Sequence, residues 1–255
     1  MRLNQRENRL GEENVNHQGC LMKIVEYNTN RDMIVEFQDK YGAKVHTSYS
    51  LFLNGGVKNP YIPSVLGIGM IGSKYPSKIN KKAVKEYRSW QNMLGRCING
   101  YKTYHNVTCC KEWLLYENFY EWLHSQDNFD KWLEGNKWGV DKDILIKGNK
   151  IYSSETCCLV PHNVNALFVK SNSIRGNLPI GVRECKYGFE AVCTNPITHR
   201  TEHLGIFATI EDAFLAYKNA KEKYIKQVAK IEYAKGNITK CCYDAMMNYE
   251  VEITD

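Results

Sequence analysis

Nowhere do the 255 residues contain an apolar run long enough to span a bilayer. Residues 1–19 are polar and lack the apolar core of a signal peptide. Membrane insertion and secretion are therefore not expected, and the chain reads as cytoplasmic in its host cell. No C-x-x-C pair occurs among the 10 cysteines, although three adjacent pairs do, at Cys109-Cys110, Cys157-Cys158 and Cys241-Cys242. Structural zinc prefers C-x-x-C because two thiolates then reach one tetrahedral ion from a tight turn. Structural zinc is thus not expected; reduced, mostly buried thiols are. A ligand set assembled from Cys97, Cys109 and Cys157 stays as the alternative. Strong charge of one sign is also missing. Lys and Arg number 34 against 28 Asp and Glu, a net charge of +6. Such a balance tilts mildly toward an anionic partner such as nucleic acid, and solvated surface lysines would produce the same figure.

Aromatics, by contrast, are plentiful, with 17 Tyr and 5 Trp. Residues 1–18 are charged, Asn-rich and aperiodic, and are expected to be flexible. Runs of β-branched and aromatic residues at 21–27, 32–37 and 44–53 predict a small β module over 19–75. Its tail, 58–77, is rich in Gly, Pro and Ser and reads as a linker. A middle domain over 80–170 holds all five tryptophans. Helical patterns at 83–98 and 112–125 place Tyr87, Trp90, Leu94 and Cys97, then Leu115, Phe119, Trp122 and Leu123, on inward faces. Aromatics at helical spacing are read as core rather than as a base-stacking surface.

Within that domain, residues 140–165 carry the chemistry. The pattern predicts a strand with Asp141 and Asp143 on one face, a Gly148-Asn149 turn and a second strand. A helix opened by Pro161 follows, bearing His162, Asn163 and Asn165. A hairpin plus helix that brings a carboxylate near an Asn or His can hold one divalent metal against a phosphate. The plainer alternative is that Asp141 and Asp143 pair with Lys147 or Lys150 across the hairpin, or cap a turn. A third domain over 175–235 has strand signals at 179–194 and 203–207. A capping box, Thr209-Ile210-Glu211-Asp212, then opens a long helix with Ala213, Phe214, Tyr217, Ala220, Tyr224, Ile225 and Val228 inward. Residues 236–255 are expected to add a short helix and a closing strand, with Tyr249, Val251 and Ile253 alternating. The expected class is α+β.

Two segments resemble known families. Tyr87-x-x-Trp90-x-x-Met93, Arg96-Cys97, Cys110-x-Glu112-Trp113, Phe119, Val140-Asp141-Lys142-Asp143, Gly148-Asn149, Tyr152-Ser153-x-Glu155 and Cys157 together resemble HNH (His-Me finger) endonuclease-like proteins of phages and bacteria. Gly181-Val182-Arg183, Leu204-Gly205-x-Phe207-x-Thr209 and Ala213-x-x-Ala216-Tyr217 resemble AP2 DNA-binding domains. That order is familiar in phage genes that look like homing endonucleases. The first resemblance implies a ββα-metal unit with flanking helices. Asp141 or Asp143 and Asn165, with Asn163 next, would hold Mg²⁺ or Mn²⁺, and Asn149 would brace the hairpin. The general base of that family is a His beside the Asp. Here the neighbours are Lys142 and Ile144, and His162 is the candidate substitute, or else an ordinary helix-start histidine. A missing base would slow hydrolysis by about 10²–10⁴-fold. The second resemblance implies a three-stranded sheet backed by a helix and laid in the major groove of double-stranded DNA. Arg183, Arg200, Lys186, Tyr187 and Arg175 would contact it; solvated charge is the alternative, and Glu190 and Glu202 oppose phosphate affinity. The function expected first is therefore a single-metal DNA endonuclease. A catalytically degenerate DNA-binding regulator, or a factor that binds a host protein through the N-terminal β module, are the alternatives.

Overall fold

A computed structural model of the chain describes residues 9–98, 106–169 and 177–255. The fold is α+β, with several small sheets. It divides into two compact units between Glu121 and Trp122. The region expected as one domain over 80–170 therefore contributes to both. Among the described residues no helix is long and apolar enough to cross a membrane.

In the first unit, β1 (Glu13–Val15), β2 (Leu21–Thr29), β3 (Asp32–Phe37) and β4 (Lys44–Thr47) form an antiparallel meander in that order. Alternation explains it: Met22, Ile24, Met33, Val35 and Phe37 are buried, with Met22 opposite Phe37 and Ile24 opposite Val35. The short helix α1 (Tyr49–Leu53), capped by the Ser48 hydroxyl, adds Phe52 to this core. Of the segment expected to be flexible, residues 1–8 lie outside the described residues, whereas Glu13–Val15 forms the edge strand β1 and Asn16 anchors the turn after it. Asn16 is buried, and its Oδ1 accepts from the backbone of Gln18 (3.0 Å) and Cys20 (2.8 Å) while Nδ2 donates to Val57 O (2.8 Å). Composition cannot reveal such a tie.

The expected linker at 58–77 is irregular in backbone yet held in place. The buried carboxylate of Glu117 accepts from the backbone N–H of Ser73 (2.7 Å) and Lys74 (2.6 Å) and from the Tyr61 hydroxyl (3.1 Å). Gly72, at φ +78°, makes this approach possible, since a Cβ there would lie 2.3 Å from the carboxylate. A tight hairpin follows, β5 (Lys78–Ile79) and β6 (Lys82–Ala83), with Asn80 and Lys81 both at positive φ. The helices α2 (Lys85–Ile98) and α3 (Tyr116–His124), with the short strand β7 (Thr108–Cys109) between them, carry a buried aromatic cluster of Tyr87, Trp90, Trp113, Tyr116 and Phe119. Trp90 Nε1 donates to Trp113 O at 2.7 Å.

The second unit contains α4 (Phe129–Glu134), β8 (Trp138–Asp141), β9 (Ile151–Tyr152), β10 (Cys158–Pro161) and α5 (His162–Asn165). Next come β11 (Val182–Cys185), β12 (Gly188–Thr194), β13 (Thr201–Phe207), α6 (Ile210–Ala234) and α7 (Lys240–Met247). β11, β12 and β13 form an antiparallel sheet on the apolar stripe of α6, and Thr209 Oγ1 caps that helix on Asp212 N. One core spans the hairpin, the sheet, α6 and α7. It joins Ile144, Cys158, Val160, Val164 and Leu167 to Val182, Ala191, Phe214, Tyr217, Ile225 and Met246. The two resembled segments thus share a core on this side of the chain.

The expected closing strand does not form. Val251 is buried as its alternation implies, but no sheet edge is offered to it. Its N–H goes to Glu222 Oε1 (2.9 Å), and the Asp255 carboxylate accepts from Glu252 N (2.9 Å). Side chains, not a neighbouring strand, satisfy this backbone.

Gly181 sits at φ +77°, and a Cβ on it would lie 2.0 Å from the Tyr217 ring. Gly181→Ala is expected to destabilise by about 2–4 kcal/mol, from positive-φ strain plus overpacking. Urea unfolding of the full chain measures this; an unchanged midpoint would refute the packing described.

Candidate functional site

The hairpin that presents the carboxylates differs from its sequence expectation. β8 pairs with β10, not with β9: Asp141 lies opposite Cys158, and Trp138 opposite Pro161. Residues 142–157 form the connection between them. Asp141 ends its strand by folding the chain back, its Oδ1 accepting from Asp143 N (2.7 Å) and Ile144 N (2.9 Å). Asp141 and Asp143 therefore do not share a strand face. Of the two plain alternatives, turn capping describes Asp141.

The turn brings Lys142 inward. Its side chain is 7% exposed, and its ammonium pairs with Asp143 Oδ1, donates to Asn149 O (3.1 Å) and lies 5.8 Å from the Tyr152 ring centroid. Asn149 braces the same loop, with Nδ2 donating to Lys142 O (2.8 Å) and Ile151 O (2.7 Å). Lys147 turns away and holds Asp255 (2.8 Å) and Glu252 (3.3 Å) rather than either aspartate. Burial pushes the Asp141 carboxyl above its ordinary range, and burial pushes the Cys157 thiol up to about 12.

On α5, His162 is exposed and its backbone N–H donates to Lys137 O (2.8 Å). Asn163 is exposed, with Nδ2 3.4 Å from Glu232 Oε1, and Asn165 is half-buried at the end of the helix. No hydrogen bond or ion pair among the described residues joins these three to Asp141 or Asp143. No group of three or more His, Cys, Asp or Glu among those residues stands close enough to hold a metal ion. Both carboxylates expected to hold Mg²⁺ or Mn²⁺ already have partners within the loop. Oδ1 of Asp141 accepts from two backbone N–H groups. Asp143 already faces a fixed positive charge.

The other candidate surface is the β11–β13 sheet. Ala191 and Cys193 face α6, leaving Arg183, Glu190, Val192, Thr194, Thr201 and His203 toward the open face. Arg183 Nε donates to Glu190 Oε2 (2.6 Å), and His203 Nδ1 lies 2.7 Å from Glu190 Oε1. The Arg183 guanidinium, then His203, draws the Glu190 carboxyl down to about 2, and Glu190 in turn raises Arg183. Lys186 and the 75% exposed Tyr187 form the β11–β12 turn. Arg200 is exposed just before β13, at the end of a turn organised by Asn195 Oδ1 on Ile197 N (2.9 Å) and Thr198 N (3.2 Å). Arg175 lies outside the described residues. Glu202, the other opposing acid, accepts from the Tyr224 hydroxyl and from Asn195 Nδ2 (2.8 Å), so it braces sheet to helix.

Sequence reasoning missed two residues. Lys142 was legible only as a neighbour of the aspartates, because strict strand alternation would have turned it to the opposite face. Sequence alone marks Glu190 only as a charge opposed to phosphate; its position across from Arg183 needs the register of two strands.

Searches against protein-family models, curated proteins and solved structures each return no match to this chain.

For the loop, the raised Asp141 carboxyl sets a pH dependence. Its contribution to stability is most favourable below the unfolded pKa and declines as pH rises through the folded one. Asp141→Asn keeps the Oδ1 acceptor and removes the buried charge. It is expected to match or exceed the wild-type unfolding midpoint at pH 7, with the difference shrinking as pH falls toward 4 (about the unperturbed Asp value). Lys142→Met should cost about 1–3 kcal/mol, because the ion pair and the hydrogen bond to Asn149 O both disappear. Wild-type thermal unfolding should be the same in EDTA, Mg²⁺ and Mn²⁺; a metal-dependent rise would mean that a cation does bind the folded loop.

Proposed function

We propose that this chain is a DNA-binding protein that engages duplex DNA through the open face of the β11–β13 sheet, with the hairpin of β8 and β10 kept as scaffold rather than as a catalyst. The observation that carries the reading is the sheet itself. One face is sealed on α6, while the other offers Arg183 and His203 side by side and is flanked by Lys186, Tyr187 and Arg200 at its turns. A small antiparallel sheet fits the width of the major groove, where guanidinium and hydroxyl groups meet base edges and phosphates. Thr194 and Thr201, exposed and 3.1 Å apart across the strands, add hydroxyls to that face. The net charge of +6 favours such a partner.

The scaffold role follows from Lys142. A buried ammonium beside Asp143 and Asn149 O supplies the positive charge that the loop needs for its own folding. The second reading, a metal-dependent HNH-type endonuclease, is favoured by the ββα order of β8, β10 and α5, with Asp141 ending the first strand.

Fluorescence anisotropy with a mixed-sequence duplex over a salt series tests the binding. The expected result is salt-sensitive affinity, with Arg183→Ala and Arg200→Ala each lowering the log–log salt slope by about 0.9 for every phosphate the removed guanidinium had neutralised. Supercoiled plasmid incubated with Mg²⁺, Mn²⁺ or EDTA should stay uncut. Metal-dependent nicking that disappears in Asp141→Asn or Asp143→Ala would replace this reading with the endonuclease. Absence of any DNA binding would turn attention to a protein partner.

A further inference from the structure

The helix that seals the sheet has a second surface of its own. The stripe Ala213, Phe214, Tyr217, Tyr224, Ile225, Val228 and Ala229 is buried. Away from it, Asn219, Lys223, Lys226, Gln227 and Lys230 line one shallow groove along α6 together with Glu222. Solvated helix faces normally interleave signs, with an acid one turn from each base. Here the positions four residues from Lys223 are the amides Asn219 and Gln227, Lys226 and Lys230 stand four apart as a like-charge pair, and the one acid a turn away is Glu222, four residues before Lys226. Glu222 is already engaged: its Oε1 accepts from Val251 N (2.9 Å) and faces Lys218 Nζ (3.4 Å). Among the described residues none of the three lysines forms an ion pair.

We propose that this stripe of α6 is a second nucleic-acid surface, one that holds a phosphodiester backbone without reading bases. Charge complementarity selects a polyanion, and the length of the stripe is enough for a short run of phosphates. Lys223 to Lys230 spans about 10 Å of helix axis. One DNA strand carries a phosphate about every 3.4 Å of duplex axis, so about three phosphates face three lysines. Asn219 and Gln227 supply uncharged donors beside them. An anionic ligand also removes the repulsion between Lys226 and Lys230 that the free protein carries. The stripe lies on the side of α6 away from its buried face, so the open sheet and the stripe present two separate surfaces on one unit. This inference rests on the reading of the chain as a DNA-binding protein, and it adds that the chain holds two stretches of DNA at once.

Isothermal titration of the full-length protein with a short mixed-sequence duplex, too short to reach both surfaces, separates the two. The probes are wild type, the triple variant Lys223→Gln/Lys226→Gln/Lys230→Gln, and Arg183→Ala/Arg200→Ala. Glutamine matches lysine closely in helix propensity, and circular dichroism checks that α6 is intact. Wild type is expected to bind two duplexes per chain. The triple variant should keep one and lose the weaker, more salt-sensitive site, and the sheet variant should lose the other. A wild-type stoichiometry of one that the triple variant leaves unchanged would make the stripe an ordinary solvated face. One duplex lost only in the triple variant would leave the stripe standing and the sheet reading fallen. No binding at all would remove both. In a parallel arm, vesicles of phosphatidylcholine with phosphatidylserine should capture wild type and triple variant alike. Vesicle capture lost in the triple variant, without a change in duplex stoichiometry, would assign the stripe to a lipid surface instead.

Discussion

The apolar stripe of α6 is the constraint on which the second unit depends. Phe214, Tyr217, Tyr224, Ile225 and Val228 are buried along one side of a 25-residue helix. Each contributes on the order of 1.5–3 kcal/mol by leaving water. The same core takes in the sheet through Val182, Ala191 and Cys193, and the hairpin and its following helix through Cys158, Val160, Val164 and Leu167. The sheet rests on α6 directly, and the hairpin joins the same core, with Cys158 beside Cys242 of α7. Gly181 shows how tight the packing is, since its missing side chain leaves room for the Tyr217 ring.

Glu117, Glu232 and Lys142 each find their partners inside their own unit, and the manner differs from place to place. In the first unit Glu117 lies among backbone N–H groups and a tyrosine hydroxyl, which fixes a loop that has no regular structure. In the second, Glu232 is held by Asn237 Nδ2 (2.6 Å) and Lys235 Nζ (3.1 Å) at the end of α6. Asn128 ties the start of α4 to Leu159 O (3.0 Å) and Asn237 O (2.9 Å), while its Oδ1 is buried without a partner. Lys142 belongs to the same group of devices. A buried charge is stable only when paired and hydrogen-bonded, and Asp143, Asn149 O and the Tyr152 ring meet that need without an external ion.

The electrostatics of the sheet are restrained by comparison with a surface of bare arginines. Glu190 occupies Arg183 and His203 at once, so under the proposed DNA binding a phosphate or base would compete with an acid already held in its charged form. Binding through that face would gain less from raw attraction and more from geometry, because a paired guanidinium is held in one orientation with its terminal donors toward solvent. Lys223, Lys226 and Lys230 of α6 form no ion pair among the described residues and would supply attraction without selection. In this reading of DNA binding, one surface discriminates and the other retains.

Much of the fold was legible in the chain itself. Alternation at Met22, Ile24, Met33, Val35 and Phe37 specified buried strand faces, and the 3.6-residue spacing from Ala213 to Val228 specified the buried side of α6. Thr209 announced the start of that helix, because a hydroxyl before an apolar run has one ready use on a free N–H. These are local signals, and local physics suffices to read them. Tertiary structure alone decided the rest. Whether Glu13–Val15 joined a sheet depended on Asn16 meeting Val57, and whether 58–77 was a linker depended on Glu117. Whether Asp141 and Asp143 faced one ion depended on where the strand stopped. Strand alternation placed them together, but two backbone N–H groups claimed Asp141, turned the chain and exchanged the inward place for Lys142. The sequence determines which side chains are available at each position. Which of them meet is settled by competition among partners far apart in the chain, and no periodicity records that competition.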